Sequence, residues 1–469
     1  MEQLKRHNLT RVDTAWLRME DPTNLMMSSG LMVFDEPLAL DELVGVLERV
    51  ADQYLRFKMK VVEGPLKLRA PEWVPDAAFD IHAHVHRIAL PAPGGDAELQ
   101  ELISDLLSTP LDFTKSPWQV HLIEGLGRGC AVLSRIHHCV ADGMALMHVL
   151  LSMTEERGGP RRRPQRKPRS FSLAALADTV ARGSYSIVEL TLAAPDTHTA
   201  LKGTLGVAKR AAWSERIGTE DLKRAAHLFD ATLNDVVVAI ISGGLGMYLA
   251  ERDEDVHHAM VRAAMPVNLR EIETAGDKLG NGFGLAYVEL PLAPGDPADR
   301  ILEVKRRIAT VKRNHQGEAA LVVLAAFGML PGWLQPYAID FFGLKASLTL
   351  TNVPGPRATR FLAGHPITDF MFWPPVSGRL STGVSVLSYA GEVRIGVATD
   401  AGLVPDPERI THFIDVEARR LMRQLAAVAP RKPRRAAARV RGHAGTARTP
   451  VRRERPARGV RKDQPVRVV

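Results

Sequence analysis

The residues whose types and spacing can do chemistry are Ile136-His137-His138-Cys139-Val140-Ala141-Asp142-Gly143. A neutral imidazole, with a pKa of about 6.5, is suited to taking a proton from a hydroxyl at cellular pH. The pair follows an apolar run of strand type, and successive strand side chains point to opposite faces. Only one of the two histidines can therefore look into a given cleft, and the pair does not chelate one metal. A metal pair of His138 and Asp142 would need one continuous helix, which the preceding strand and Gly143 argue against. No metal site is expected. Asp142 stands just before an apolar helix and reads as an N-cap or turn anchor holding the histidine loop. Gly143 is read as letting the chain bend there. Two structural histidines are the alternative reading of the same residues.

The elements around this loop are legible as periodicities. Residues 130–136 read as a buried strand and 143–155 as a helix. Leu40, Leu43, Val44, Leu47 and Val50 have helical spacing, as do Leu99, Leu102, Ile103 and Leu106. Residues 81–90 read as extended. In the second half, Thr219 is read as the cap of a helix through Leu222 to Phe229. Thr232 and Asp235 have capping-box-like spacing ahead of an apolar helix over 236–249. Residues 384–389 and 393–397 suggest a hairpin about Ala390-Gly391. Asp406 as N-cap and Pro407 as first helical residue open a last helix to about Ala426.

Composition bounds the classes. The chain has 469 residues, 45% apolar and 24% charged, enough to bury a large core. Two cysteines, Cys130 and Cys139, exclude a disulfide scaffold and fit a reducing compartment. Cys139 reads as a packing residue, and no G-x-S-x-G elbow is present. The net charge of +8 is unevenly spread: residues 431–469 carry +12 and residues 157–169 carry +7, leaving −11 elsewhere. Such basic, Pro/Gly-rich segments read as solvated, and adhesion to anionic lipid is their functional reading. No aromatic residue interleaves the tail, so nucleic-acid binding is not expected. The N-terminus shows no signal-peptide pattern. The longest uncharged apolar run, 319–330, is too short to span a bilayer and reads as a buried helix or a lipid-facing element.

The motif resembles the active-site signature of the coenzyme-A-dependent acyltransferase superfamily. The rest of the chain narrows the resemblance to the bacterial wax ester synthase/diacylglycerol acyltransferase family. Asp13, Trp16, Glu20, Pro22, Thr23 and Asn24 are similar to that family's opening. Phe79-Asp80 with His84, Arg87, Leu90-Pro91 and Pro93-Gly94 are similar too, as are Pro110-Leu111-Asp112, Trp118 and 121–125. Asn234-Asp235-Val236-Val237, 266–270, Gly280-Asn281, 352–356 and Ser388-Tyr389 with Gly391 carry it through the second half. The resemblance covers about residues 8–427. One departure is Ser116-Pro117-Trp118, where the family usually has Pro-Leu-Trp.

The resemblance implies an α/β fold of two chloramphenicol-acetyltransferase-like lobes with an active-site tunnel between them. The break in pattern at the basic stretch and a second half starting near Trp213 divide the chain into an N-terminal lobe (1–156), a basic crossover (157–212), a C-terminal lobe (213–430) and a basic tail (431–469). The resemblance also implies transfer of a long-chain acyl group from acyl-CoA, a substrate and not a cofactor, to diacylglycerol, with fatty alcohols as a further acceptor. His138 is the implied general base, with His137, Asp142 and Gly143 in support. Trp118, Asn234, Asp235 and Asn268 are candidates for substrate contact or support, and Ser381, Thr382 and Asn268 are guesses for the oxyanion donor. The enzyme is expected in the cytoplasm, peripheral to the inner membrane face or lipid inclusions. Competing readings are a superfamily acyltransferase with another donor or acceptor, and a catalytically silent lipid-droplet or membrane-binding protein. Nothing in the sequence gives the oligomeric state.

Overall fold

The computed structural model describes residues 5–64, 69–156, 194–268, 283–313, 334, 337, 339–340, 343–376 and 379–428. They belong to one compact unit, Met1–Val428. The expectations for 157–169, Gly280-Asn281, 319–330 and 431–469 fall outside the described residues.

Two sheets organise the unit. Their strands are β1 (Met27–Phe34), β2 (Val85–Ala89), β3 (Trp118–Leu126), β4 (Gly129–His137), β5 (Lys209–Trp213) and β6 (Arg262–Asn268). They continue with β7 (Phe283–Glu289), β8 (Leu348–Pro354), β9 (Asp369–Trp373), β10 (Thr382–Tyr389) and β11 (Glu392–Asp400). The main helices are α1 (Arg11–Arg18), α2 (Leu40–Gln53), α3 (Asp96–Ser108), α4 (Gly143–Met153), α5 (Thr219–Leu228), α6 (Leu233–Ala250), α7 (Pro297–Arg313) and α8 (Pro407–Val428).

The first sheet has the order β9-β1-β4-β3-β2. Only β2 and β3 run parallel in it. β4 is buried along its whole length, as a central strand covered on both faces requires. α2 turns Leu43, Val44, Leu47 and Val50 into the same core, the stripe expected from their spacing. The second sheet has the order β7-β6-β8-β10-β11-β5, with Ile217–Gly218 paired to β11. β6, β8 and β10 are parallel, and the remaining pairings are antiparallel.

Helix α6 is long and apolar enough to cross a membrane, but 78% of it lies buried inside the fold. It is apolar on nearly every side because it packs between the second sheet and its neighbours α5, α7 and α8. Glycine makes that approach possible: a Cβ on Gly246 would lie 2.1 Å from the Leu292 carbonyl oxygen.

The halves of the chain interlock. β9 comes from the second half yet pairs antiparallel with β1, Met371 opposite Leu31. Its Asp369 accepts hydrogen bonds from Arg394 and from Arg216. Residues 209–212, read from the sequence as crossover, lie in β5 of the second sheet.

Several local expectations need adjusting. α5 starts at Thr219 itself, with Gly218 as its N-cap and no side-chain cap. The segment read as extended from Ile81 opens with a 3-10 turn over Ile81–Ala83, which the Asp80 carboxylate caps before β2 begins. Asp406 directs its carboxylate to Tyr248 and Arg252, while Pro407 does open α8. The hairpin turn holds Ala390 and Gly391 at φ 49° and 89°, left-handed geometry that suits the glycine.

Candidate active site

The histidine loop joins β4 to α4, and its backbone is held on several sides. The His138 N–H donates to the Met26 carbonyl at 2.8 Å, and Val140 N–H to His137 O at 3.0 Å. Arg56 Nη1 donates to the Val140 carbonyl at 2.9 Å. The Asp142 carboxylate accepts from Ala145 N–H at 2.9 Å and is the N-cap of α4, as its position suggested. Gly143 does not supply a bend. It is the first helical residue of α4, its φ is not left-handed, and a Cβ placed on it would meet none of the described residues within 4 Å.

The two imidazoles have different surroundings. His137 is fully buried, with Nε2 3.3 Å from Glu20 Oε2 and its ring edge-on to Phe113. Its Nδ1 accepts the Cys139 N–H at 3.1 Å, so the neutral ring carries its proton on Nε2, towards the carboxylate. His138, 5% exposed, stacks on the indole of Trp16 with ring centroids 4.3 Å apart and planes 28° apart. No group of three His, Cys, Asp or Glu residues suited to a metal occurs among the described residues.

Helix α1 and the residues after it buttress this loop. Thr10 caps α1 by accepting the Asp13 N–H. Trp16 reaches His138, and Glu20 reaches both His137 and the Met26 N–H, the latter at 2.5 Å. Asp13, fully buried, lies 3.7 Å from the Arg56 guanidinium that holds Val140. Sequence reasoning singles out Asp13, Trp16 and Glu20 without giving them tasks. The available signal is an acid, Asp13, on the buried face of a short helix, which demands a partner elsewhere in the fold.

Trp118 opens β3 opposite Ile136. Its indole N–H donates to Phe57 O at 2.9 Å, and its ring stacks on His84 at 4.4 Å. It also lines a small apolar pocket between α2, α4 and the first sheet. Ser134 and Ile136 of β4, Leu47 and Val50 of α2, and Val149 and Met153 of α4 form its walls. Such walls suit hydrocarbon and offer a charged group nothing.

Asn234 and Asp235 occupy the first turn of α6. Asp235 and Thr232 form the capping box, the carboxylate accepting Thr232 N–H at 2.8 Å. Asn352 Nδ2 donates to Asn234 Oδ1 at 2.9 Å, bringing together two segments 118 residues apart. Asn268 is the last residue of β6. Ser381 Oγ donates to the Leu201 carbonyl and lies 3.1 Å from Thr382 Oγ1. That proton is therefore committed to the fold and does not serve an oxyanion.

Other titratable groups are structural in setting. Burial, helped by Arg135, pushes His121 down to about 3, and burial also lowers His84. Burial raises the Cys139 thiol well above its usual range, as befits a packing cysteine.

Two sheets linked by an exchanged strand, with an H-H-x-x-x-D-G loop between a central strand and a capped helix, define a two-lobed acyltransferase fold of the chloramphenicol-acetyltransferase type. A wax ester synthase/diacylglycerol acyltransferase from Marinobacter aquaeolei VT8 shares this fold, with a TM-score of 0.66 at 22% identity over 89% of this chain and 99% of that one. The first condensation domain of the calcium-dependent antibiotic synthetase shares it at a TM-score of 0.61 and 16% identity, covering 91% and 97%. Residues 9–184 match the wax ester synthase/diacylglycerol acyltransferase catalytic domain, and residues 279–421 match the C-terminal domain of that family. A Mycobacterium tuberculosis protein named as a probable diacylglycerol O-acyltransferase, tgs1, is 30% identical over 448 residues, 89% of this chain and 96% of the relative. The chain belongs to the wax ester synthase/diacylglycerol acyltransferase family and is an acyltransferase.

Proposed function

We propose that the enzyme transfers a long-chain acyl group from acyl-CoA to the free hydroxyl of diacylglycerol, forming triacylglycerol. His138 is the general base. Its imidazole takes the hydroxyl proton as the acceptor oxygen attacks the thioester carbonyl. The tetrahedral intermediate then collapses, the C–S bond breaks, and the imidazolium returns the proton to the coenzyme A sulfur. Both substrates meet in a tunnel between the lobes, and no acyl-enzyme forms. The observation that carries this reading is the placement of His138: an imidazole at the end of a central strand, on a loop held at Met26, Val140 and Asp142. Family membership supplies the substrate class, since the tuberculosis relative is named for diacylglycerol.

His137 holds the loop through Cys139, and Asp142 holds it through the cap. Asn234, paired with Asn352, supports the second-lobe wall, while Trp118 contributes to the apolar lining beneath α4. The basic segments 157–169 and 431–469 attach the enzyme to the anionic inner face of the membrane or to lipid inclusions.

Purified enzyme incubated with palmitoyl-CoA and either dioleoylglycerol or hexadecanol tests the reading. Triacylglycerol, with free thiol released only when the acylglycerol is present, is the expected result. Predominant wax ester would reassign the acceptor, and no acceptor-dependent thiol under either condition would reject acyl-CoA as donor.

A further inference from the structure

We propose that Trp16 is a positioning residue that sets the proton affinity of His138, by stabilising the imidazolium formed when the acceptor's proton arrives. The inference rests on His138 being the general base. The indole and imidazole rings lie 4.3 Å apart at 28°, well inside the range at which an aromatic face attracts a cation, and tryptophan is the strongest of the aromatic faces. Both residues are almost completely buried, Trp16 at 3% and His138 at 5% exposure. Burial disfavours a charged imidazole. A base that must become positive in such a place needs compensation, and the indole face gives it without adding an ionisable group.

The placement of Trp16 is itself over-determined. It sits on α1, whose first turn is capped by Thr10, and it packs with Ala15, Met19 and Met26. Leu285 and Ile339 of the second half cover the same cluster and bring no charge. Met26 also accepts the His138 N–H, so one small cluster fixes both rings. Among the described residues, the charged and titratable groups around the loop are Asp13, Glu20, Arg56, His137, Cys139 and Asp142.

Two substitutions separate the aromatic face from simple cover. Trp16→Phe keeps a weaker ring, and Trp16→Leu keeps an apolar lid without one. The pKa of His138 is read directly by NMR on the full chain with labelled histidine, the resonance being assigned by its loss in His138→Gln. The His138 pKa should fall by about 0.4 to 1.5 pH units in Trp16→Leu and by less in Trp16→Phe. The acid limb of the kcat/KM profile should move down in pH with it, and the plateau should drop roughly twofold to thirtyfold. An unchanged or raised pKa in both variants would overturn the proposal, since the stack would then be cover alone. Full activity in His138→Gln would instead overturn the general-base reading while leaving the pKa comparison to stand by itself.

Discussion

Glu20 Oε2 lies 3.3 Å from His137 Nε2 while accepting the backbone N–H of Met26, so one carboxylate steadies both supports of the histidine loop. Its orientation towards the imidazole is that of a charge–dipole contact; the directed hydrogen bond is the one from Met26. Through the Met26 carbonyl the same support reaches the His138 N–H. Glu20→Ala is expected to lower kcat about tenfold with little change in KM, and to cost about 1–3 kcal/mol of stability from the unpaired Met26 N–H. Glu20→Gln keeps an acceptor and should recover most of both. Steady-state kinetics with urea denaturation check this, and equal losses in the two variants would contradict it.

Asp142 acts as a cap in this account. Asn is as good an N-cap as Asp, whereas Ala removes the oxygen that accepts the Ala145 N–H. Asp142→Asn should retain stability and most activity, and Asp142→Ala should lose about 1 kcal/mol along with activity. A stable but inactive Asn variant would show that the charge itself is needed.

Arg360 ties the second half to the far end of α4. Its guanidinium donates to Leu151 O at 3.1 Å, Thr154 O at 2.6 Å and Thr154 Oγ1 at 3.0 Å. A cation on the last carbonyls of a helix complements its dipole. Arg360→Met should destabilise by about 2–3 kcal/mol and speed hydrogen exchange in α4 more than in α8. Uniform exchange across both helices would count against a local tie.

Asp415 gives a pH signature. Burial pushes its carboxyl up to about 6, although both its oxygens accept from Glu215 N–H. The unfolded chain loses this proton near pH 4 and the folded chain only near 6, so stability falls as pH rises between those values and stays lower above them. Asp415→Asn should therefore gain about 1–2 kcal/mol at pH 7–8 and almost nothing at pH 4, read by urea midpoints. An equal gain at both values would point to packing instead.

Much of this site is legible in the amino-acid sequence because its pieces are local. The strand ending at His137, the cap at Asp142 and the capping box of Thr232 and Asp235 each sit within a few residues of their partners. The fold class is legible through the resemblance. What periodicity does not report is long-range. β1, with Ser28, Ser29 and Gly30 among its apolar residues, lacks a clean alternation because both its faces are buried as a strand between β9 and β4. The exchange of β9 into the first sheet, the Trp16–His138 stack and the Asn234–Asn352 bond join segments separated by more than a hundred residues. The expected bend at Gly143 fails for a different reason: its φ is not left-handed, and it simply opens α4 as the first helical residue.

The membrane role proposed for the basic tail separates cleanly from catalysis. Removing residues 431–469 takes away a net charge of +12 and should leave turnover on detergent-dispersed substrate unchanged. Binding to vesicles rich in anionic lipid should weaken and lose its dependence on salt. Undiminished vesicle binding would reject that role.

The most direct test of the central claim is the rate of triacylglycerol formation from palmitoyl-CoA and dioleoylglycerol by the wild-type enzyme and by His138→Ala. Removing a general base is predicted to lower kcat by roughly a hundredfold to ten-thousandfold, with acyl-CoA binding and thermal stability close to wild type. A folded His138→Ala enzyme that still turns over within a few-fold of wild type would contradict the account.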